Sequence, residues 1–401
     1  MFVNSPISGP IWIDNASSGR YRFREDHPFH PVRLKLTERL LKACGALEAR
    51  QIAVPQPPAD WEAALAWIHR ADYIEAVRRL SGTSPAVEAV ELAAKYGLEL
   101  DGDTPYFPGV HEAAQAVVHG TIAAAEAVMS GAAPHALHLG GGLHHAFPDR
   151  GAGFCVYNDV AAAIAWIRRK YDAKVLYIDT DVHHGDGVQW CFYTDPDVFT
   201  LSIHETGKYL FPGTGFAHER GTQSGYGACL NVPVEPYTED DSWLDSFGAA
   251  IEKAVRAFKP DVIVSQHGCD AHAFDPLSHV HCSMRIYREM PKRIHRLAHE
   301  WTDGRWIALG GGGYDHYRVV PRAWGLLWLE MTGHPLLEAI DAAPGGAPLP
   351  ASWLPARQDG VPEGMPASWL DDASAWTPMP RRAEIAAKNR EVLELALQHL
   401  A

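Results

Sequence analysis

Short apolar runs, rich in β-branched and aromatic residues, alternate along this chain with longer segments whose apolar residues recur at helical spacing. The spacing predicts helices over Val110–Met129, Asn158–Lys170 and Asp241–Phe258. The apolar runs predict strands over Pro10–Ile13, His135–Leu139, Lys174–Ile178, Val198–Ile203, Val262–Gln266 and Trp306–Leu309. Strands that alternate with helices form mostly parallel sheets, so the pattern predicts an α/β fold.

Polar or glycine-rich segments directly follow several of these strands. His135–Leu139 leads into Gly-Gly-Gly-Leu-His-His, and Lys174–Ile178 leads into Asp-Thr-Asp-Val-His-His-Gly-Asp-Gly. Val262–Gln266 leads into His-Gly-Cys-Asp-Ala-His-Ala-Phe-Asp-Pro, and Trp306–Leu309 leads into four glycines and a tyrosine. Ligands of open α/β sheets bind outside the carboxyl ends of the strands, so we expect these segments to meet at one edge of the sheet.

Composition narrows the class of protein. The chain has 401 residues, of which 47% are hydrophobic and 21% charged, enough to build a sizeable core and unlike disordered, collagen or coiled-coil sequences. It lacks both a run of 18 apolar residues and a secretory signal at Met1–Gly9, which predicts a soluble, cytoplasmic protein with no membrane partner. The net charge of −14 argues against a nucleic-acid partner. None of the six cysteines forms a C-x-x-C pair, which argues against a disulfide framework.

The 22 histidines are an unusual excess, and histidine is the commonest metal ligand. Asp181 and His183 lie two residues apart just after a predicted strand, so both side chains can project from the same side towards one divalent ion. Asp275 could supply a further oxygen. Three protein ligands leave one coordination position open for water, which is typical of a catalytic metal site.

Other polar residues near this pair suit the hydrolysis of an amide. His144 and His145 could each be oriented by a carboxylate, and Asp179 and Asp186 are available for this. Tyr314 could donate a hydrogen bond to an oxyanion. A phosphate-binding role for the four glycines before Tyr314 remains open, although no Lys, Ser or Thr follows them. The sequence contains no G-x-S-x-G motif for serine chemistry.

Several motifs, in matching order and spacing over roughly residues 10–335, resemble those of the zinc-dependent histone deacetylase family. They are Gly141–Ala146, Gly153–Asp159, Asp179–Gly187, Phe211–Gly215, Asp275–Leu277 and Gly310–Tyr314. Three further motifs, His27–Pro31, Arg33–Thr37 and Ser278–Val280, are most similar to those of the bacterial acetoin-utilisation deacetylases within the class I-like branch.

The resemblance implies a three-layer α/β/α, arginase-like fold with a central, mostly parallel sheet of about eight strands. We expect a catalytic domain over residues 1–341. Residues 342–401 are rich in Pro and Trp, and the motif Pro-Ala-Ser-Trp-Leu occurs there twice, at Pro350–Leu354 and Pro366–Leu370. This tail is predicted to be a strap packed on or beside the domain, ending in a helix over Arg381–Leu400, with a partner-binding extension as the alternative.

The resemblance also assigns roles in catalysis. The implied metal ligands are Asp181, His183 and Asp275, holding zinc or, with the same ligand types, ferrous iron. The implied catalytic groups are His145 as general base and acid, His144 beside it, Tyr314 as oxyanion donor, and Asp179 and Asp186 as partners of His144 and His145.

Further roles concern substrate and monovalent ions. A narrow tube would be lined by Gly153, Phe154 and Phe211, with Asp103 at its rim, and Arg33 would line an inner cavity through which acetate leaves. Two structural potassium sites would involve Asp179, Asp181, His183 and Ser202, and Phe192, Asp195 and Val198. Cys282 stands where relatives usually have Leu; it could widen the tube for longer acyl groups, or have no effect on acyl choice.

The function implied is removal of acetyl groups from lysine ε-amines of proteins, with acetyl-coenzyme A synthetase as a possible client. Deacetylation of an acetylpolyamine is the second possibility, and a catalytically silent acyl-lysine-binding scaffold is a third. The oligomeric state stays open. Histidines outside the motifs, including His295, His299 and His399 on predicted helices, are interpreted as ordinary surface or core residues.

Overall fold

The computed structural model describes residues 9–14, 19–55, 58–82, 87–343, 345–353, 363–372 and 376–400. Within them, one sheet contains the strands β1 (Ile11–Ile13), β2 (Ile52–Ala53), β3 (His135–His138), β4 (Val175–Asp179), β5 (Val198–Glu205), β6 (Cys229–Val234), β7 (Val262–Gln266) and β8 (Trp306–Leu309). The strand order is β2-β1-β3-β8-β7-β4-β5-β6, and every pairing is parallel. The loops after β3, β8, β7 and β4 therefore lie side by side at the carboxyl edge of the sheet.

Helices cover both faces of the sheet. They are α1 (Val32–Ala43), α2 (Trp61–Ile68), α3 (Ala71–Ser81), α4 (Val87–Lys95), α5 (Val110–Met129), α6 (Asp159–Tyr171), α7 (Asp186–Cys191), α8 (Asp240–Phe258), α9 (Met284–Trp301), α10 (Val320–Thr332), α11 (Leu336–Ala342) and α12 (Arg382–Leu397). Leu176 and Ile178 of β4 pack in one apolar core with α1 and α8 to α10, whereas Val175 and Tyr177 pack in a second core with α2 to α6. This alternation confirms the predicted three-layer α/β/α fold.

All six predicted strands are present, and the sheet gains β2 and β6. The short β2 has only two residues, too few to give a hydrophobic pattern. The strand β6 contains Asn231 and Pro233, which are poor strand formers but tolerated there because β6 lies at the edge of the sheet. The predicted helix over Asn158–Lys170 begins one residue later, because the Asn158 side chain caps it by accepting a hydrogen bond from Ala161 N at 2.9 Å.

The described part of the C-terminal tail packs on the domain. Trp353 and Trp369 are buried in the same core as α10. Asp371 accepts hydrogen bonds from Arg322 Nη1 at 2.8 Å and from His272 Nε2 at 2.9 Å, so the tail holds the loop that follows β7. Leu354, the last residue of the first Pro-Ala-Ser-Trp-Leu copy, lies outside the described residues. The domain boundary after residue 341 stays a prediction.

Over the described ranges, no helix combines the length and the apolar character needed to cross a membrane.

Candidate active site

Two loops at the carboxyl edge bring together a compact group of possible metal ligands. Asp181 and His183 follow β4, and Asp270 follows β7. Nδ1 of His183 lies 3.2 Å from Oδ1 of Asp181 and 3.2 Å from Oδ2 of Asp270. All three residues are buried, and one ligand atom of each lies within 4.8 Å of the other two. This is a spacing at which three side chains can share one ion.

Donors at the end of β7 and in the loop after β8 orient the Asp181 carboxylate. Its Oδ2 accepts hydrogen bonds from Gln266 Nε2 at 2.8 Å and from the backbone N–H of Gly312 at 2.8 Å. Gly268 and Gly312 lie against the same carboxylate so closely that a Cβ atom at either position would collide with it. These contacts fix the direction in which Asp181 can offer an oxygen to a ligand.

Asp275 lies at the edge of this group. Its Oδ2 accepts a hydrogen bond from Tyr314 N at 2.7 Å, and its Oδ1 accepts one from Leu277 N at 3.0 Å. Burial and the charge of Asp270 raise the pKa of the Asp275 carboxyl, so the two carboxylates are electrostatically close. The structure thus places Asp270 with Asp181 and His183 as a possible metal ligand, while the assignment of Asp275 as a metal ligand stays a prediction.

Asp270 is not among the ligands expected from the sequence, although its position in the loop after β7 indicates a role at this edge. It stands four residues after the end of β7, in the same kind of loop as Asp181 and His183 after β4. Burial and the neighbouring charge of Asp181 raise the pKa of its carboxyl to about 6. Its Oδ1 accepts a hydrogen bond from Val182 N at 2.9 Å, which ties the β7 loop to the β4 loop.

Each of the two consecutive histidines has its own carboxylate. Nδ1 of His144 donates to Asp179 Oδ2 at 2.7 Å, and Nδ1 of His145 donates to Asp186 Oδ1 at 2.8 Å. The structure thus brings together the two pairs that the sequence suggested. A carboxylate on Nδ1 leaves the opposite nitrogen, Nε2, free to exchange a proton or bind a ligand.

Asp159 and Asn158, at the start of α6, hold the loop that carries these histidines. Asp159 accepts hydrogen bonds from Gly142 N at 3.0 Å and Leu143 N at 2.7 Å. Asn158 donates to the carbonyl oxygen of His144 at 3.3 Å and to that of Ala146 at 3.0 Å. Both residues belong to the motif Gly153–Asp159, so one motif supports the position of another.

The two imidazoles have opposite acid–base character. Burial alone lowers the pKa of His144, but the negative charges of Asp179 and Asp181 outweigh it and raise that pKa to about 9. Burial and the adjacent positive charge of His144 lower the pKa of His145. Ring centroids 4.0 Å apart keep the two side chains in direct electrostatic contact.

Aromatic side chains lie beside His145 and Tyr314. The ring of Phe211 lies 5.0 Å from His145, and that of Phe154 lies 5.8 Å from Tyr314, both measured between centroids. Gly153 lies between them, and a Cβ atom there would collide with both His145 and Phe211. Asp103 is exposed beside this opening and accepts a hydrogen bond from Gly153 N at 3.1 Å. The residues that the resemblance assigns to a tube therefore lie together beside His145 and Tyr314, and the apolar passage they would form stays a prediction.

Tyr314 and Arg33 meet at the glycine-rich loop after β8. Burial and the charges of Asp270 and Asp181 raise the pKa of the Tyr314 phenol, which keeps it a proton donor. Arg33 is buried and donates through Nη1 to the carbonyl oxygens of Gly311 and Gly313, each at 3.0 Å. Arg33 of α1 therefore holds the loop that carries Tyr314 in place. The role of Arg33 in acetate release stays a prediction.

Cys282 is fully buried. Its side chain has no exposed surface, and its Sγ atom lies 3.6 Å from the carbonyl oxygen of Thr238. A residue lining an open tube keeps some surface accessible, so this position offers no support for a contact between Cys282 and the acyl group.

The residues of each implied potassium site lie near one another in the structure. Asp179 and Ser202 are register partners in β4 and β5, and Asp179 Oδ1 accepts a hydrogen bond from Asp181 N at 3.2 Å. The N–H of Asp195 donates to the carbonyl oxygen of Phe192 at 3.0 Å, just after α7, and Val198 begins β5. Both assignments stay predictions.

The donor set fits a divalent cation. Within the ranges that the structure describes, Asp181 and Asp270 form ion pairs with histidine alone, and Asp275 forms none. A buried carboxylate such as that of Asp275, which has no cationic partner there, is costly. A divalent ion held by these oxygens and by Nδ1 of His183 would compensate their charge, and this mixture of oxygen and nitrogen donors suits Zn²⁺ or Fe²⁺.

Comparison with known proteins identifies the class. Residues 27–331 match the family model described as histone deacetylase domain. The chain therefore belongs to the histone deacetylase family, as its motifs predicted.

Individual relatives narrow the comparison. The acetoin utilization protein AcuC of Bacillus subtilis (strain 168) is 48% identical over 388 residues, which is 96% of each chain. AcuC of Staphylococcus xylosus is 44% identical over 378 residues, 94% of each chain. A crystal structure of a histone deacetylase homolog from Aquifex aeolicus matches with a TM-score of 0.75 and 26% identity, covering 97% of this chain and 100% of that one. The predicted similarity to acetoin-utilisation proteins is confirmed.

Proposed function

We propose that this protein hydrolyses the amide of acetylated lysine side chains in proteins and releases acetate. The observation that carries the proposal is the position of the paired histidines. His144 and His145, each on its own carboxylate, lie beside the Asp181–His183 group at the end of an apolar passage. This arrangement combines a proton-transfer group, a candidate metal centre and a path for an extended side chain.

In this proposal His145 transfers the protons and His144 supports it electrostatically. His145 has the lowered pKa of a general base, so its Nε2 accepts a proton from a water molecule and later donates it to the leaving lysine amine. Asp186 keeps the Nδ1 proton of His145 in place during both steps. His144 supplies positive charge beside the reacting centre through its contact with Asp179.

Tyr314 acts on the carbonyl group. Its protonated phenol donates a hydrogen bond to the oxygen that becomes negative in the tetrahedral transition state. The hydrogen bond from Tyr314 N to Asp275 fixes the backbone that carries the phenol. Arg33 stabilises the same loop through the glycine carbonyls, so the donor is held in position before substrate binds.

Asp181 and His183, with Asp275 or Asp270, would hold the divalent ion, which we propose to be zinc, with ferrous iron as the other candidate. When bound, the ion supplies Lewis-acid polarisation of the amide carbonyl and lowers the pKa of water. The donors to the Asp181 carboxylate, Gln266 Nε2 and Gly312 N, then set the direction of its oxygen.

The passage supports a lysine side chain as the substrate. Phe154 and Phe211 offer apolar surface to the methylene groups, and Asp103 at the outer end can accept hydrogen bonds from a peptide backbone. We therefore propose acetylated proteins of the cytoplasm as substrates, with acetyl-coenzyme A synthetase as a candidate client.

The test is acetate release by the zinc-loaded protein from an acetyl-lysine peptide and from N-acetylputrescine and acetylspermidine, with and without chelator. We expect the peptide to be the better substrate by kcat/KM and the chelator to stop its hydrolysis. A preference for the polyamines would overturn the protein-lysine assignment. No hydrolysis of any of the three by zinc-loaded protein would overturn the deacetylase assignment itself.

A matched variant locates the peptide contact. Asp103→Asn keeps the size of the side chain but weakens its acceptor strength, and it leaves the histidines unchanged. We expect KM for the peptide to rise, with kcat retained. An unchanged KM would remove Asp103 from substrate recognition.

A further inference from the structure

Three histidines converge at the opposite end of the sheet from the proposed active site. His135 is the first residue of β3, and His295 and His299 lie one turn apart on α9. Nε2 of His295 lies 3.1 Å from Nε2 of His135 and 3.0 Å from Nε2 of His299. All three rings thus direct a nitrogen to one point, and these atoms lie within 4.8 Å of one another. We call these residues the amino-edge triad.

A carboxylate fixes the orientation of the central ring. Nδ1 of His295 donates to Glu330 Oε1 at 3.1 Å, and Glu330 Oε2 is held by Arg288 at 2.6 Å. Because the Nδ1 proton faces Glu330, neutral His295 presents only a lone pair at Nε2. Carboxylate–histidine pairs of this kind orient the ligands of metal sites.

Hydrogen bonds among the three rings alone do not account for this arrangement of nitrogen atoms. A single lone pair on His295 Nε2 faces nitrogen atoms of both His135 and His299, and one lone pair accepts one good hydrogen bond. Imidazole nitrogens that share a zinc ion at about 2.0–2.1 Å in tetrahedral geometry lie about 3.3 Å apart. The observed separations are close to this value, so one ion between the rings would accept a lone pair from each of them.

The surroundings keep the rings ready to bind a cation. Burial and the neighbouring imidazoles lower the pKa of His135 to about 4, and burial lowers the pKa of His299. Both shifts favour the neutral imidazole, in which one ring nitrogen carries a lone pair. His135 is buried, His295 is half-buried and His299 is exposed, so the triad opens to solvent on one side.

We propose that the amino-edge triad is a second metal site, which binds one divalent transition-metal ion of the zinc class through Nε2 of His135, His295 and His299. Three imidazoles without a protein carboxylate in the first coordination sphere favour Zn²⁺, Co²⁺, Ni²⁺ or Cu²⁺ over Mg²⁺ or Ca²⁺. The ion would join the start of β3 to α9. The site shares no residue with the proposed active site, and the inference does not depend on the deacetylase activity.

The experiment measures zinc binding to the full-length protein by equilibrium dialysis and elemental analysis. The variants are His295→Ala, His299→Ala and their combination, with His218→Ala as the control because His218 is an exposed histidine elsewhere. We expect the double variant to bind one equivalent less than wild type, each single variant to bind the second ion at least about tenfold more weakly, and the control to match wild type. Equal stoichiometry and affinity in wild type and the double variant would overturn the proposal, whatever the state of the active site.

A second pair of variants separates a three-histidine site from a simple pair on one helix. His135→Gln should also weaken the second ion at least about tenfold, and Glu330→Gln should weaken it by about 10–100-fold through loss of orientation. Circular dichroism of the metal-free proteins checks that each variant is folded. If His135→Gln is folded and binds the second ion as wild type does, the triad is not the site. If it fails to fold, the exposed His299→Ala variant still decides.

Discussion

The two ends of the sheet use histidine in different ways. At the carboxyl edge, His144 and His145 each donate to a separate carboxylate, and neighbouring charges drive their pKa values in opposite directions. At the amino edge, three imidazoles contact one another, and the central one, His295, donates to a carboxylate, Glu330. We propose that the first arrangement transfers protons and that the second offers lone pairs to a metal ion. The same side chain therefore acquires its chemistry from the groups that surround it.

The largest expected effect sharpens this contrast at the carboxyl edge. His145→Ala removes the proposed general base, so we expect kcat to fall by about 10²–10⁴-fold, with the metal content retained. His299→Ala removes an imidazole at the amino edge and should leave kcat unchanged. Steady-state kinetics with elemental analysis measures both. Loss of metal from the His145 variant would mean that this residue is a ligand rather than a base.

The next effect concerns the oxyanion donor. Tyr314→Phe removes only the phenol oxygen, and we expect kcat to fall by about 10²–10³-fold, the usual result of losing one such donor. Thermal unfolding and metal content should match wild type, since the backbone hydrogen bond to Asp275 remains. Full activity in this variant would exclude Tyr314 from the mechanism.

The smallest expected effect concerns acyl choice. Cys282 has no exposed surface and contacts the Thr238 carbonyl, so Cys282→Leu should leave the ratio of acetyl- to butyryl-lysine hydrolysis unchanged. The larger side chain should lower the free energy of unfolding by about 1–3 kcal/mol through overpacking. A shift in the ratio would show that this position reaches the passage after all.

Much of the carboxyl edge could be predicted from sequence, because its residues follow strands within short motifs. The contacts of His144 with Asp179 and of His145 with Asp186 join motifs that follow parallel strands, and the α/β pattern predicts that the ends of such strands meet at one edge of the sheet. The sequence pattern does not single out Asp270, because the Asp-Pro step marks Asp275 in the same loop. The edge strand β6 was missed because Pro233 interrupts its pattern.

The amino edge could not be predicted in the same way. His295 and His299 have helical spacing and were interpreted as ordinary residues, because an isolated pair on a helix carries little information. Their partner His135 lies 160 residues from His295, and it reaches them only because α9 packs on the face of the sheet to which His135 points. Such a juxtaposition depends on tertiary packing, which the local pattern of a sequence does not contain.

The most direct test of the central claim is acetate release from an acetyl-lysine peptide, measured with metal content, in wild type, Asp181→Asn and the His295→Ala/His299→Ala double variant. We predict that Asp181→Asn loses acetate release and one equivalent of metal, because it removes charge from a ligand at the carboxyl edge. The double variant should lose its equivalent of metal and keep the wild-type rate. An Asp181→Asn protein that releases acetate as fast as wild type would contradict the account.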